Sequence, residues 1–305
     1  MKAPVTLDEF YAMFATEPRC WTYLRRMRWP GGFRCPRCDG RRAHRLRTRG
    51  LWQCAACRYQ ASLTAGTPFH GTRVPLRTWF LAMFFVARHK KGISALQFQR
   101  TAGLGSYKTA WTLLHKVRST LGRNPLFPLT GDVEADETYV GARHVAGPRG
   151  RGALGKTPVG IAVENLGEHA GRVRLAVLGG VSSEEVQPFV RGSIDAPEAT
   201  VRTDGLPSYR GLREAGVRHR ARVQGDPRRA AKLLPWVHTV ASNLKTWLRG
   251  TFHGVSPKHL PRYLDEFSYR FDRRWREGEL FAFVLRRVAR GSPLPYRQLV
   301  AEGTA

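Results

Sequence analysis

Four of the five cysteines fall into two close pairs, Cys35-x2-Cys38 and Cys54-x2-Cys57, with fifteen residues between the pairs. Each C-x2-C turn presents two thiolates to one cation, and two such turns complete a tetrahedral shell of four sulfurs. A closed shell leaves no position for water or substrate. The spacing therefore predicts one structural Zn²⁺ per chain, held by Cys35, Cys38, Cys54 and Cys57. A redox dithiol would be a single pair in a thioredoxin-like setting, which this is not. Cys20 stands apart and reads as a small buried apolar residue.

A second set of residues suits phosphoryl chemistry. The chain has 23 acidic residues against 51 Lys and Arg, so acids placed on strands stand out. Asp136 lies in the run Val133 to Gly141, where Glu134, Asp136 and Thr138 share one face of a strand and Glu137 points to the other. Asp204 follows a short strand in Val201-Arg202-Thr203-Asp204-Gly205. Two carboxylates on neighbouring strands can hold divalent ions, which activate an attacking oxygen and stabilise a leaving one. Mg²⁺ suits such a site because it prefers oxygen ligands. A plainer reading fits the same residues: surface charges, or a turn pair for Asp204-Gly205. Spacing alone leaves both open.

The net charge of +28 repels itself in a compact protein and favours a polyanionic partner. Nucleic acid fits best, because neutralising phosphates releases counterions. Charge by itself does not separate DNA from RNA or from an anionic membrane. Arg34, Arg37, Arg41, Arg42, Arg45, Arg47 and Arg49 crowd the cysteine region and read as phosphate contacts that position the protein. The most apolar run, Trp79 to Ala87, is about half a membrane span and ends at Arg88-His89-Lys90-Lys91. No targeting segment is evident, so a soluble, cytoplasmic, nucleoid-associated protein with no membrane partner is expected.

These residues need elements to position them. Thr6 to Arg28 reads as one helical segment opened by a capping box, Thr6-Leu7-Asp8-Glu9. Pro75 to Lys90 reads as a helix. Ile93 to Gln99 and Ser106 to Leu121 read as two more around a Gly-containing turn, either a helix-turn-helix or an ordinary helical hairpin. In the first case Lys108, Lys116 and Arg118 face DNA; Trp111 and Leu114 suit a core as well. Pro125 to Leu129 reads as a linker. Strands follow at Val133–Val140, Val159–Val163, Val173–Leu178, Thr200–Arg202 and Val217–Val223. Gly147 to Gly152 is a basic loop, and Ser182-Ser183-Glu184-Glu185 is a second capping-box pattern. From His238 to about Arg290 the pattern is helical. Strands, then a helix and strand, then helices suit an α/β layer fold.

The run Asp136-Glu137-Thr138-Tyr139-Val140-Gly141 resembles the first catalytic strand of the IS1595-family (ISXO2-like) transposases. The segment His238 to Ser256, with Ser242-Asn243-Leu244-Lys245, resembles their last catalytic helix, and Lys258-His259-Leu260 and Tyr263 to Phe267 continue the likeness. A four-cysteine ribbon is also that family's N-terminal module. The resemblance implies an RNase H-like catalytic domain, a mixed sheet flanked by helices, over residues 130–290. Before it come a helical segment (1–30), a zinc ribbon (31–66) and a helical DNA-binding region (67–124); a tail (291–305) follows. It implies Asp136 and Asp204 as catalytic metal ligands for two Mg²⁺ or Mn²⁺ ions. Asn243 stands where many relatives have Glu and is carried over as the third ligand; Lys245 is carried over as a contact to DNA phosphate near the cut, and Arg249 reads as a further DNA contact. Glu266 is the alternative third acid. The implied reaction is Mg²⁺-dependent cleavage at terminal inverted repeats followed by strand transfer into double-stranded DNA, by a homodimer or higher oligomer. Two other readings stand beside it: a domesticated, inactive DNA-binding regulator, and a structure-specific nuclease.

Overall fold

The computed structural model describes residues 3–46, 49–122, 127–141, 155–222 and 233–301. Arg47, the 147–152 loop, residues 125 and 126 of the linker and Val223 lie outside them. Along the chain, α1 (Leu7–Met13) and α2 (Glu17–Arg28) precede a meander of β1 (Ala43–Leu46), β2 (Leu51–Cys54) and β3 (Gln60–Ser62). Then come α3 (Leu76–Arg88), α4 (Ala95–Thr101) and α5 (Tyr107–Arg118). A sheet follows from β4 (Leu129–Gly141), β5 (Lys156–Asn165), β6 (Ala170–Val177), β7 (Ile194–Thr203) and β8 (Arg218–Ala221), with α6 (Ser183–Arg191) between β6 and β7. Helices α7 (Pro235–Phe252), α8 (Leu260–Phe271), α9 (Leu280–Arg290) and α10 (Tyr296–Ala301) come next. The chain divides into two compact units. One takes residues up to Leu121 and also Trp275–Ala301; the other spans Gly122–Arg274.

In the first unit the expected single helix over Thr6–Arg28 is two. The Thr6–Glu9 capping box forms as the sequence predicts. The helix then stops, because Thr16 is extended and Pro18 sits in the first turn of α2, where a missing N–H costs nothing. Glu17 reaches across to cap α3, accepting from Leu76 N at 2.6 Å and Arg77 N at 3.1 Å. The core is aromatic: Phe10, Phe14, Phe80 and Phe281 are fully buried, with Phe14–Phe80 ring centroids 4.9 Å apart and Phe14–Phe281 5.6 Å apart. Phe281 belongs to α9, which packs on α2 and α3. Residues 275–301 therefore build this unit. The boundary at 290, with a tail beyond it, is corrected: the apolar stripe of α9 fills an N-terminal core.

The second unit is a five-stranded mixed sheet in the order β6-β5-β4-β7-β8. β4, β5 and β6 are antiparallel neighbours, whereas β7 runs parallel to β4 and β8 parallel to β7. Helices cover both faces. On one, Val133, Ala135, Ala162 and Val201 pack with Val186 and Val190 of α6 and with Tyr209 and Leu212. On the other, Val237, Val240 and Ala241 of α7 lie over Ile161 and Val163, while Leu244, Trp247 and Leu248 lie over Val140 and Val159. This is the RNase H-like arrangement. The helix α6 begins where expected, but its capping box does not form. Ser182 makes no side-chain cap, and Glu185 accepts instead from Gly179 N at 2.9 Å.

Candidate active site and metal centre

The cysteines converge through two matching turns. Cys35 N donates to Gly40 O and Asp39 N to Cys35 O, both at 2.9 Å. Cys54 N donates to Tyr59 O at 2.9 Å and Arg58 N to Cys54 O at 3.1 Å. Asp39 and Arg58, each just after the second cysteine of its pair, both adopt the left-handed region at φ 62° and 57°. Gly40 is required by space: a Cβ there would meet Cys54 Sγ at 3.2 Å and Cys38 Sγ at 3.4 Å.

The four sulfurs lie within 4.8 Å of one another, with Cys35–Cys57 and Cys38–Cys54 at 3.6 Å. A tetrahedron with Zn–S bonds of about 2.3 Å has edges of about 3.8 Å, so the residues fit zinc. The Cys57 N–H draws the Cys54 thiol down to about 7. Cys38, although Gly40 N–H donates to it, is pushed up to about 12 by the Cys57 and Cys54 sulfurs. Four thiols this close ionise together only around a cation. Cys20 is buried away from them, and burial raises its thiol to about 12.

Around the ribbon, Arg34, Arg37, Arg41, Arg42, Arg45 and Arg49 are exposed. Arg34 is engaged in a forked pair with Asp39. Trp29, Phe33, Arg37 and Arg41 line a cleft of about 640 Å³. The α4–α5 turn contains Gly103 at φ 63°. On α5 the expected basic face holds only in part. Lys108 is exposed, with its ammonium 4.0 Å over the Tyr296 ring of α10. Lys116 is half-buried, and burial lowers its pKa. Arg118 is a correction: it is buried and donates to Ile93 O at 3.4 Å, so it does not face DNA. Leu114 is core, and Trp111 stacks on buried His115 at 4.1 Å.

The acids meet through strand register. β4 and β7 are parallel, with Val133 opposite Val201 and Glu134 opposite Arg202. Two residues beyond the last pair, the same spacing brings Asp136, in mid-β4, level with Asp204, which directly follows the carboxyl end of β7, on the same face. Both are half-buried. Asp136 Oδ1 accepts from Glu137 N at 2.8 Å, and Asp204 Oδ1 from Leu206 N at 3.2 Å, which fixes the turn after β7. Thr203 at the strand end is held by buried His219, whose Nε2 lies 2.9 Å from Thr203 Oγ1.

On the opposite face, Tyr209 Oη donates to Glu137 Oε2 at 2.9 Å. Burial raises the Tyr209 pKa well above normal, and the charges of Glu137, Asp136 and Asp204 raise it further. Oxygen donors on two adjacent strands fit Mg²⁺.

Glu134 does a different task from Asp136, two residues away. It is wholly buried and caps α7, accepting from Trp236 N and Val237 N at 2.9 Å and from Asn165 Nδ2 at 2.7 Å. Burial raises its pKa against those three bonds. Capped there, α7 runs along β4: Ile161, which pairs with Asp136, lies under α7 with Val240 and Ala241. Asn243 to Lys245 thus fall level with Asp136–Thr138.

Lys245 is half-buried. Its pKa is lowered by burial, then by Arg249 and Lys156, while Asp136 pulls it up. Asn243 is exposed. Residues two apart on a helix do not face the same way, so Asn243 and Lys245 lie on different flanks of α7. The Lys245 flank also carries His238, Ser242 and Arg249 at helical spacing. Glu266 is wholly buried, 3.4 Å from Arg270 one turn on. Sequence reading missed Tyr209, His219, Asn165 and the capping task of Glu134. Only Glu134 had a visible signal, its period-two spacing from Asp136.

Residues 15–60 match the transposase zinc-ribbon domain and residues 128–272 the ISXO2-like transposase domain, together well over half of the chain. The chain belongs to the ISXO2-like transposases. A similar protein is an uncharacterized protein in transposable element ISH50 of Halobacterium salinarum, 27% identical over 275 residues, covering 84% of this chain and 91% of that one. No solved structure matches. The transposase-domain match ends at Asp272, two residues before the second unit does at Arg274. The zinc-ribbon match contains all four cysteines, and the matched domain and the sulfur cluster together support Zn²⁺ in this insertion-sequence transposase. Among the described residues no helix is long and apolar enough to cross a membrane.

Proposed function

We propose that this transposase binds the terminal inverted repeats of its own element and catalyses DNA cleavage and strand transfer at Asp136 and Asp204. The observation that supports this reading is the parallel β4–β7 register, Glu134 opposite Arg202, whose spacing carried two residues on makes positions 136 and 204 neighbours. When bound there, Mg²⁺ or Mn²⁺ supplies charge neutralisation for in-line displacement at phosphorus. Lys245 holds the phosphate beside Asp136 as a point charge. Asn243 is the third ligand by family correspondence and adds an oxygen without charge; buried Glu266 stays with Arg270. The ribbon arginines Arg37, Arg41, Arg42 and Arg45 grip the duplex backbone, with Arg249 near the cut. Joining two element ends calls for at least two protomers.

The test uses DNA carrying the element's own ends, with Mg²⁺. Asp136→Asn and Asp204→Asn lose cleavage and strand transfer by about 10³-fold while duplex affinity stays within a few fold. Full activity in either variant contradicts the assignment. Asn243→Ala loses activity, whereas Glu266→Gln keeps it in the fraction that folds.

A second reading is a DNA-binding regulator without chemistry, favoured by Asn243 being uncharged and off the Lys245 flank. It requires specific end binding and no cleavage with any divalent metal.

A further inference from the structure

Beside the acids, Tyr139, Val140, Gly141, Lys156, Lys245, Leu248, Arg249, His253, Gly254 and Val255 enclose a cleft of about 660 Å³. We infer that this cleft binds one unpaired DNA strand flanking the scissile phosphate, with phosphates on Lys156, Lys245 and Arg249 and a base against Tyr139. The inference rests on the transposase reading and extends it to the state of the DNA at the cut.

Three features of the cleft argue for this occupant. Its titratable lining is cationic, with no acid among its residues. The cations are crowded: Lys156, Lys245 and Arg249 line one cleft, and a phosphate between them offsets their mutual repulsion. The rest of the lining is apolar or aromatic, with Val140 buried and Tyr139 and Val255 half-buried.

A duplex offers a protein surface mainly phosphates, and an apolar floor would go unused. An unpaired strand offers phosphates and base faces together, which is what a cationic groove with an aromatic wall takes. The volume agrees. It lies within the roughly 300–1,000 Å³ of small-ligand pockets, room for a nucleotide or two and too narrow for a duplex. The end of α7 shapes the mouth, where His253 adopts φ 55° and Gly254 φ 150°, turning the chain so that both line the cleft.

The test is binding without Mg²⁺, so that no cleavage contributes. The probes are a short blunt duplex and the same duplex with an unpaired terminal dinucleotide, compared by fluorescence anisotropy on the full chain. Wild type binds the frayed probe about tenfold more tightly, as one stacked base is expected to give. Tyr139→Ala abolishes the preference with duplex affinity unchanged, and Tyr139→Phe retains it. Lys156→Gln lowers the salt slope for the frayed probe by about one and leaves the blunt-duplex slope alone. A 5-iodouracil in the unpaired segment cross-links to Tyr139. Equal affinity of wild type for the two probes, a preference that survives Tyr139→Ala, or a cross-link mapping to the ribbon overturns the inference. Asp136→Asn retains the preference, so an intact preference without cleavage by wild type faults the catalytic reading alone.

Discussion

Single residues carry two separable tasks in the second unit. Glu134 and Asp136 share a strand face, yet one is sealed under the α7 N-terminus and the other is half-exposed beside Asp204. Glu134→Ala orphans Trp236 N, Val237 N and Asn165 Nδ2, and is expected to cost about 3 kcal/mol; Glu134→Gln, which still accepts, costs less. Urea unfolding measures both, and a neutral Glu134→Ala contradicts the capping role. Asp265 is a pH-sensitive position. Burial lifts its carboxyl from 3.8 to about 6 against the pull of Arg262. The folded state then binds the proton more tightly than the unfolded chain does. The stability this gives is whole below pH 3.8 and is lost as pH rises through about 6, a cost of up to about 3 kcal/mol at neutral pH. Asp265→Asn is therefore more stable than wild type at about pH 8 and matches it at about pH 3. An equal difference at both pH values contradicts the burial account.

At the scale of elements, legibility tracked how local the determining physics is. The zinc centre was readable because Cys35-x2-Cys38 and Cys54-x2-Cys57 encode it in short turns. Removing the zinc should unlock only those turns: amide exchange at Cys35 and Cys54 accelerates on chelation, while β4 and β5 stay protected. Uniform deprotection of both units contradicts a ribbon-local metal. The strands holding Asp136 and Asp204 were also readable, but their adjacency was not. It depends on a parallel register between residues 68 positions apart, Glu134 against Arg202, and no period within either strand states it. The break between α1 and α2 was signalled by Pro18 and overlooked. Arg118 looked like a DNA contact because charge on a helix defaults to the surface; its burial is set by α3–α5 packing that spacing does not reveal.

The whole molecule was least legible where the chain returns. Trp275–Ala301 rejoins the N-terminal unit, and Phe281 completes an aromatic core whose other members, Phe10, Phe14 and Phe80, lie far earlier in the chain. An amphipathic helix states that it needs a partner, not which one. Charge belongs to this scale too: +28 over 305 residues makes steep salt dependence of DNA binding an expectation of the entire surface. The central claim is that Asp136 is a direct metal ligand in DNA cleavage, and a change of metal preference tests it most directly. Asp136→Cys replaces a hard oxygen donor with a soft sulfur one. Cleavage of DNA bearing the element ends should vanish for this variant in Mg²⁺ and return in Mn²⁺, with wild type active in both. Activity of Asp136→Cys in Mg²⁺ equal to wild type would contradict the account.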